Sequence, residues 1–320
     1  MNIDDLKKVP KPYKKEAATL FDKLAKIRKL PLLGGVHLSN VIKKIKERIT
    51  LFTRKGRIQK RTWRIIETAR HESRPQTKDY IEKICDVFVE LKGDRLFKDD
   101  PSIVGGLGLI KGKPVVIIGH QKGKTTEERV YYNFGMASPE GYRKSHRLMK
   151  MAEKFSMPII TFIDTPGAYP DVGAEERGQA SAIAHNLLLM SKINTPTIAV
   201  VIGEGGSGGA LALGVADYVM MLKNSIYSVI SPEGCAAILW RDSNSAPLAA
   251  AALKLTSKDL KKLKIIDEII PEPRGGAHKN LDKVVKLIKK SILKTLDELE
   301  QLDSNKLKSK RIKKYQEMGI

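Results

Sequence analysis

Two stretches of this 320-residue chain share one plan, and that plan limits what the chain can fold into. Pro158-Ile-Ile-Thr-Phe-Ile-Asp164 is a short apolar run that ends in a glycine-containing turn over 165–173. Thr197-Ile-Ala-Val-Val-Ile-Gly203 is a second such run, and it ends in Gly203-Glu-Gly-Gly-Ser-Gly-Gly209. Apolar runs of this length, bounded by turn residues, predict buried strands. Helical spacing follows each, over 175–191 and 209–215. Strand, glycine-rich turn, helix, strand is the rhythm of an α/β fold. Ligands in such folds sit at the carboxyl ends of strands, so the two turns mark the candidate site.

The flanking pattern fills in the rest. Residues 104–110 and 115–119 are apolar runs joined by Lys111-Gly-Lys-Pro, which predicts a hairpin. Residues 139–155 read as a helix, 218–222 and 226–230 as strands, and 232–240 as a helix with proline in its first turn. Ile81, Ile84, Cys85, Phe88 and Leu91 have helical spacing and predict a helix over 80–91. Toward the amino terminus, 14–29, 38–50 and 61–69 predict three helices, with a break at Leu30-Pro-Leu-Leu-Gly-Gly35. Residues 281–312 predict a lysine-rich helical tail.

Charge divides the chain at the same places. Residues 1–70 carry a net charge of +14, residues 279–320 carry +6, and residues 71–278 only +2. Of the 25 glycines, 21 lie between Gly93 and Gly276, so the near-neutral middle is also the loop-rich part. These boundaries give a basic helical arm over 1–70, a catalytic or binding domain over 71–278, and a basic helical tail over 279–320. Basic ends are suited to weak contact with nucleic acid or an anionic membrane. They do not interleave aromatic with basic residues in the manner of a stacking platform. Cys85 and Cys235 stand 150 positions apart, which excludes a cysteine-rich zinc site within this chain and argues against a disulfide framework. The first residues lack the apolar core of a signal peptide and no apolar run reaches spanning length, so a soluble cytoplasmic protein is expected.

Chemistry is carried by few residues. Gly203, Gly205, Gly206, Gly208 and Gly209 allow close backbone approach, and the N–H groups that open the following helix have no helical partner. They form a ready oxyanion site. The Pro166-Gly167-Ala168 turn offers a second set of donors. Glu175 and Glu176 read as helix-start carboxylates. Arg143, Arg147 and Lys150 share one helix face, open to phosphates or an acidic partner. Gly119-His-Gln-Lys-Gly-Lys-Thr125 resembles a phosphate loop but has three residues between its glycines where four are needed. Neither a Ser-His-Asp order nor a His-x-x-x-His spacing is present. That favours chemistry in which a bound cofactor handles the proton and the protein supplies donors.

Taken together, Ile117-Ile-Gly-His-Gln-Lys-Gly123, Asn133-Phe-Gly-Met, Pro139-Glu-Gly-Tyr-Arg-Lys, Phe162-Ile-Asp-Thr-Pro-Gly-Ala-Tyr-Pro170, Gly173-Ala-Glu-Glu-Arg-Gly-Gln179, Val201-Ile-Gly-Glu-Gly-Gly-Ser-Gly-Gly-Ala-Leu-Ala212, Tyr227-Ser-Val-Ile-Ser-Pro-Glu-Gly-Cys-Ala-Ala-Ile-Leu-Trp240 and Pro271-Glu-Pro-Arg-Gly-Gly-Ala-His278 resemble the alpha subunits of bacterial acetyl-CoA carboxylase carboxyltransferases. The resemblance is dense from Arg70 to His278. It departs at Asp171, where a glycine is expected, and at Asn244-Ser-Ala-Pro247. It implies a crotonase-like α/β fold of repeated ββα units with two roughly perpendicular sheets and helical extensions. It also implies transfer of a carboxyl group from carboxybiotin, borne on a biotin carboxyl carrier protein, to acetyl-CoA, giving malonyl-CoA for fatty-acid synthesis.

The implied partners are a carboxyltransferase beta chain, in an α2β2 assembly, and biotin carboxylase, the ATP-dependent component. The beta chain would carry the zinc and hold acetyl-CoA, and this chain no metal. In the resemblance, Gly208, Gly209, Gly167 and Ala168 give oxyanion donors through backbone N–H groups. Gly205, Gly206, Ser207 and Tyr169 line the carboxybiotin side. Ser207 stands at one of the usual glycine positions, and Asp217 fits the spacing of a later aspartate. An enoyl-CoA hydratase or isomerase on the same fold would need a catalytic glutamate just after the glycines, where Ala210-Leu-Ala-Leu stands.

Overall fold

The computed structural model describes residues 9–10, 13–28 and 35–319. In chain order the elements begin with α1 (Lys14–Arg28), α2 (Gly35–Ala69), α3 (Thr77–Ile84), β1 (Val87–Glu90), β2 (Ile103–Ile110), β3 (Lys113–His120), α4 (Thr126–Tyr131) and α5 (Pro139–Lys154). The central stretch holds β4 (Ile159–Thr165), α6 (Val172–Glu176), α7 (Gln179–Lys192), β5 (Thr197–Gly206), α8 (Ser207–Leu211), β6 (Tyr218–Leu222) and β7 (Ile226–Ser228). Then come α9 (Pro232–Trp240), α10 (Ala246–Leu253), α11 (Ser257–Lys262), β8 (Glu268–Ile270), α12 (Leu281–Leu299) and α13 (Ser304–Gln316). The chain falls into two units. One comprises residues 1–64 with 232–253, the other residues 65–231 with 254–320.

In the first unit α1 lies along α2. Ile45, Ile49, Phe52 and Gly56 are buried at intervals of three and four, the spacing that keeps one stripe of a helix inward. Leu24 packs with Ile45 and Ile49, and Tyr13 stacks on Phe52 with ring centroids 5.1 Å apart. The two helices expected over 38–50 and 61–69 are therefore one helix of 35 residues. Gly56 costs about 1 kcal/mol relative to alanine, and its place on the buried stripe explains why the helix passes through it. The expected break over 30–34 lies outside the described residues. Asn244-Ser-Ala-Pro247, where the chain departs from its resemblance, lies at the α9–α10 connection, with Asp242 accepting from the Asn244 N–H at 3.0 Å.

The second unit is built on a sheet of eight strands in the order β1-β2-β3-β4-β5-β6-β8, with β7 pairing to β5 off that path. The β1–β2 and β2–β3 pairs are antiparallel, and the others are parallel. The expected hairpin is β2–β3, closed by Lys111 and Gly112 with φ of +49° and +75°, the signs a tight two-residue hairpin turn requires. All eight strands belong to one hydrogen-bonded sheet that forks at β5. Ile198–Val201 pair with β6, whereas Glu204–Gly206 pair with β7.

Both faces of this sheet are covered. Ile103, Val116, Ile118, Ile159, Ile163, Ala199 and Val201 meet Tyr142, Leu148 and Met149 of α5 and Ala182 and Met190 of α7. The alternate residues Ile117, Ile160, Phe162, Ile198, Val200 and Ile202 meet Tyr80 and Ile84 of α3 and Ile288, Ile292 and Leu296 of α12. The central strands β4 and β5 thus read as continuous apolar runs because neither of their faces meets water.

Three expected helices resolve differently. The one over 80–91 stops at α3, because Cys85 is already extended and Val87–Glu90 pair with Gly106–Leu109 as an edge strand. Helical spacing over a short apolar run cannot tell these apart. The one over 175–191 is two helices, split at Gly178 with φ +83°. The lysine-rich tail is also two, split before Ser304, where Asp303 accepts from the N–H groups of Asn305 and Lys306.

Candidate active site

The two glycine-bearing turns meet at the carboxyl ends of β4 and β5. Up to Ile163 and Val201 the two strands pair in step, and the next pair is Thr165 with Gly205. β5 therefore carries two more residues than β4 across this interval. The Asp164 carboxylate fills the irregularity, with Oδ1 accepting from the Glu204 N–H at 2.9 Å.

The run 203–209 is not a free loop, as the glycine count had suggested. Residues 203–206 finish β5, and Ser207 opens α8. Gly205 pairs with Tyr227, and a Cβ on it would lie 2.7 Å from the Tyr227 ring. A Cβ on Gly206 would overlap the Pro166 carbonyl, and one on Gly209 would lie 2.7 Å from the carbonyl carbon of Gly167. Glycine at these positions brings the two turns together backbone to backbone. Gly167 and Gly208 differ. A Cβ on Gly167 would have no atom within 4 Å, and one on Gly208 would meet only Ile183, at 3.7 Å. Packing does not demand glycine at either. Both are part-exposed, as are Ala168, Tyr169, Gly206 and Ser207, whereas Gly205 and Gly209 are buried.

The donors can be sorted further. The Gly167 N–H is committed to Thr165 Oγ1 at 3.1 Å, and that hydroxyl donates to the Gly167 carbonyl at 2.7 Å. Ala168 is the residue of this turn whose N–H makes no hydrogen bond among the described residues. On the other side, the first N–H groups of α8, including Gly208, have no intrahelical acceptor. Tyr169 is fixed through its backbone, its N–H donating to the Ala137 carbonyl at 3.0 Å and its carbonyl accepting from Gln179 Nε2 at 3.0 Å. Ser207 has φ +49°, a left-handed conformation at the position where a glycine is usual. Asp171, the other departure, caps α6 by accepting from the Gly173 N–H at 3.1 Å.

Beside the turns lies a charged cluster that the sequence reading missed. Lys122 Nζ sits 2.7 Å from Asp164 Oδ1 and 3.7 Å from Glu204 Oε2, and Arg70 Nη2 is 2.7 Å from Glu204 Oε1. Arg70, Lys122 and Asp164 border a cleft of about 200 Å³ that Arg129, Phe134 and His71 also line. The available signal was two carboxylates, Asp164 and Glu204, inside otherwise apolar or glycine-rich strand ends. Under the turns, the His120 imidazole is fully buried between the backbones of Phe162 and Gly209, and burial pushes its pKa down to about 3. Neither ring nitrogen completes a hydrogen bond, so the imidazole stays neutral.

Other expectations find different uses. The Asp217 side chain is 4% exposed and paired with Arg311 at 2.7 Å. Arg143 of the basic face pairs with Asp94 and Glu140, at 2.8 and 2.9 Å, and Arg147 donates to the Gly93 carbonyl at 3.2 Å. Among the described residues no group of three or more His, Cys, Asp or Glu could hold a metal, and no helix is long and apolar enough to cross a membrane.

Residues 11–319 match the family described as acetyl co-enzyme A carboxylase carboxyltransferase-like. A relative from Vibrio parahaemolyticus, named acetyl-coenzyme A carboxylase carboxyl transferase subunit alpha, is 52% identical over 310 residues, covering 96% of this chain and 97% of that one. A Thermus thermophilus relative of the same name is 48% identical over 311 residues, covering 97% and 98%. Among solved structures, transcarboxylase 12S aligns with a TM-score of 0.53 at 19% identity, over 66% of this chain and 41% of its own. A Pseudomonas malonate decarboxylase hetero-tetramer aligns with a TM-score of 0.53 at 16% identity, over 62% and 81%. These structures share the crotonase-like α/β fold with this chain. The chain belongs to the family of acetyl-CoA carboxylase carboxyltransferase alpha subunits.

Proposed function

We propose that this chain, paired with a beta chain, transfers a carboxyl group from carboxybiotin to acetyl-CoA, with the Ala168 and Gly208 N–H groups as the donors on the biotin side. The observation that carries the residue assignment is the contrast among the glycines. Gly206 and Gly209 press against the backbone of the opposing turn, while Gly208 and Gly167 border open space beside unpaired N–H groups. A flat ureido group fits a cradle that a Cβ on Gly208 would fill. When bound, biotin supplies the carboxyl group and the proton acceptor that the side chains here do not offer. The chain's own part is to bind and orient. Ala168 and Gly208 donate to the ureido oxygen, Gly206 and Ser207 form the edge of the cradle, and Tyr169 borders it from the opposing turn. Fixed donors of this kind stabilise developing negative charge without reorganising, the largest single term in many acyl and carboxyl transfers. Neutral His120 adds no positive charge beneath them.

In this reading the beta chain holds acetyl-CoA and carries the zinc, and the assembly is α2β2. Carboxybiotin arrives on the carrier protein after biotin carboxylase has charged it, in the cytoplasm. The test is decarboxylation of malonyl-CoA in the presence of free biotin, with this chain and its beta chain together. Turnover that needs both chains supports the reading. Turnover that persists with a beta chain alone would remove it.

A further inference from the structure

The carboxyl-terminal helix α13 reaches the end of the segment that carries Gly208. Tyr315 Oη accepts from the Ala216 N–H at 2.8 Å and donates to the Gly214 carbonyl at 3.1 Å, with the Ala216 carbonyl at 3.3 Å as the alternative acceptor. From Gly214 a hydrogen-bonded path leads back into α8. The Gly214 N–H donates to the Leu211 carbonyl at 2.9 Å, and the Ala212 N–H to the Gly208 carbonyl at 3.0 Å. One turn earlier on α13, Arg311 is 1% exposed and bonds both Asp217 oxygens at 2.7 Å. It also donates to the Met190 and Ile193 carbonyls at 2.7 and 2.9 Å, where α7 ends. Lys314 Nζ adds contacts to the Ala216 and Asp217 carbonyls at 3.3 and 3.2 Å.

α8 has five residues. A helix this short has little stability of its own, so its orientation depends on what holds its ends. The amino end is held by Gly209 against Gly167. Beyond the carboxyl end, the turn over 212–217 bonds to α13, and Thr161 Oγ1 donates to the Leu213 carbonyl at 2.7 Å. An apolar cavity of about 260 Å³ lies between the two helices, lined by Ser207 and Leu211 on one side and Tyr315 and Met318 on the other. With that space beside it, α8 is not wedged in place by packing alone.

We infer that Tyr315 is a positioning residue for the reaction, fixing the 212–217 turn so that the Gly208 N–H keeps its aim. The kinetic arm of this inference rests on the proposed carboxyl transfer, and the structural arm does not. Tyr315→Phe keeps the ring and removes the hydroxyl. In the isolated chain, amide hydrogen exchange over 208–214 should quicken about tenfold, the equivalent of one net hydrogen bond, with core strands unchanged. In the complex with the beta chain, kcat for biotin-dependent malonyl-CoA decarboxylation should fall about tenfold at unchanged KM, the mark of an interaction felt in the transition state. Met318→Ala, which opens the same cavity without touching the turn, should leave kcat within about twofold. Should Tyr315→Phe not fold, Lys314→Met loosens the same turn and takes its place. Exchange over 208–214 that matches wild type, or exchange that quickens throughout the chain, overturns the inference whatever the activity. Local quickening with kcat intact also overturns it. A wild-type complex with no carboxyl transfer would instead remove the functional reading, and local quickening would then stand as support for the clamp.

Discussion

Gly209 backs onto Gly167 so closely that a Cβ on the first would lie 2.7 Å from the carbonyl carbon of the second. The neighbouring Gly208 has no such constraint, and this separates two substitutions that look alike in the sequence. Gly208→Val should fold and assemble, with stability changed by no more than about 1 kcal/mol. Its turnover should fall by about 10²–10³, because the added side chain fills the cradle and keeps the oxyanion from its donors, an effect as large as deleting one. Gly209→Ala should instead push the turns apart and destabilise by about 1–3 kcal/mol. Thermal unfolding beside turnover of the assembled complex checks both. A folded Gly208→Val complex within about threefold of wild type would shift the assignment to Ala168.

Ser207 supplies a stability prediction. Its left-handed backbone costs about 1–2 kcal/mol for a side-chain-bearing residue, partly offset by the chain entropy that glycine would lose. Ser207→Gly should therefore raise stability by roughly 0.5–1 kcal/mol and keep turnover. Ser207→Val should lower it. Denaturant midpoints of the three proteins give the order, and a Ser207→Gly protein less stable than wild type would show that the serine side chain has another role.

Lys122 neutralises Asp164, whose side chain is 5% exposed. Removing one partner of a buried pair typically costs about 3–5 kcal/mol, and Lys122→Met should cost toward the lower end because the lysine is 20% exposed. Lys122→Met with Asp164→Asn should recover much of the loss. A double-mutant cycle measured by urea unfolding tests this, and additive single effects would mean that the pair is not coupled.

His120 predicts a pH dependence. Its folded pKa is depressed to about 3 by burial, while the unfolded chain titrates near 6.5. The unfolded state therefore binds more protons between these values, and stability falls as pH drops below about 6.5. Full stability from this group is present above that pH. Between pH 6.5 and 5 the loss should reach about 2 kcal/mol. A His120→Gln protein should show a correspondingly shallower pH dependence of unfolding over that window. An unchanged slope would place the titration elsewhere.

The isolated chain is expected to be inactive in carboxyl transfer and to contain no stoichiometric zinc. The motivation is the pair of unbridged cysteines, Cys85 and Cys235, and the half-site formed by two turns of one chain. Elemental analysis and assays with and without the beta chain decide both points.

Much of this was legible in the sequence. The β4 and β5 runs are apolar throughout because the sheet is covered on both faces, and such runs announce themselves. The glycine strings marked the two turns that meet at the candidate site, and the resemblance they carry supplied the fold and the activity. What was not legible depends on partners distant in the chain. Val87–Glu90 became a strand because β2 was beside it, and Gly56 stayed helical on the buried stripe of α2. The division of labour among glycines needed the opposing turn in place, since Gly208 and Gly209 are adjacent and chemically identical. Arg70, Lys122, Asp164 and Glu204 meet across 134 positions, from Arg70 to Glu204.

In the proposed reading the working surface of this site is main chain. A small molecule that gripped the Ala168 and Gly208 amides would hold atoms that every amino-acid substitution but proline preserves. Drug resistance would then have to come from added bulk. At Gly206 and Gly209 the opposing backbone leaves no volume for it, and at Gly208 bulk would block the enzyme's own ligand as well. Escape by point mutation would be confined to the rim, where Tyr169 and Ser207 stand.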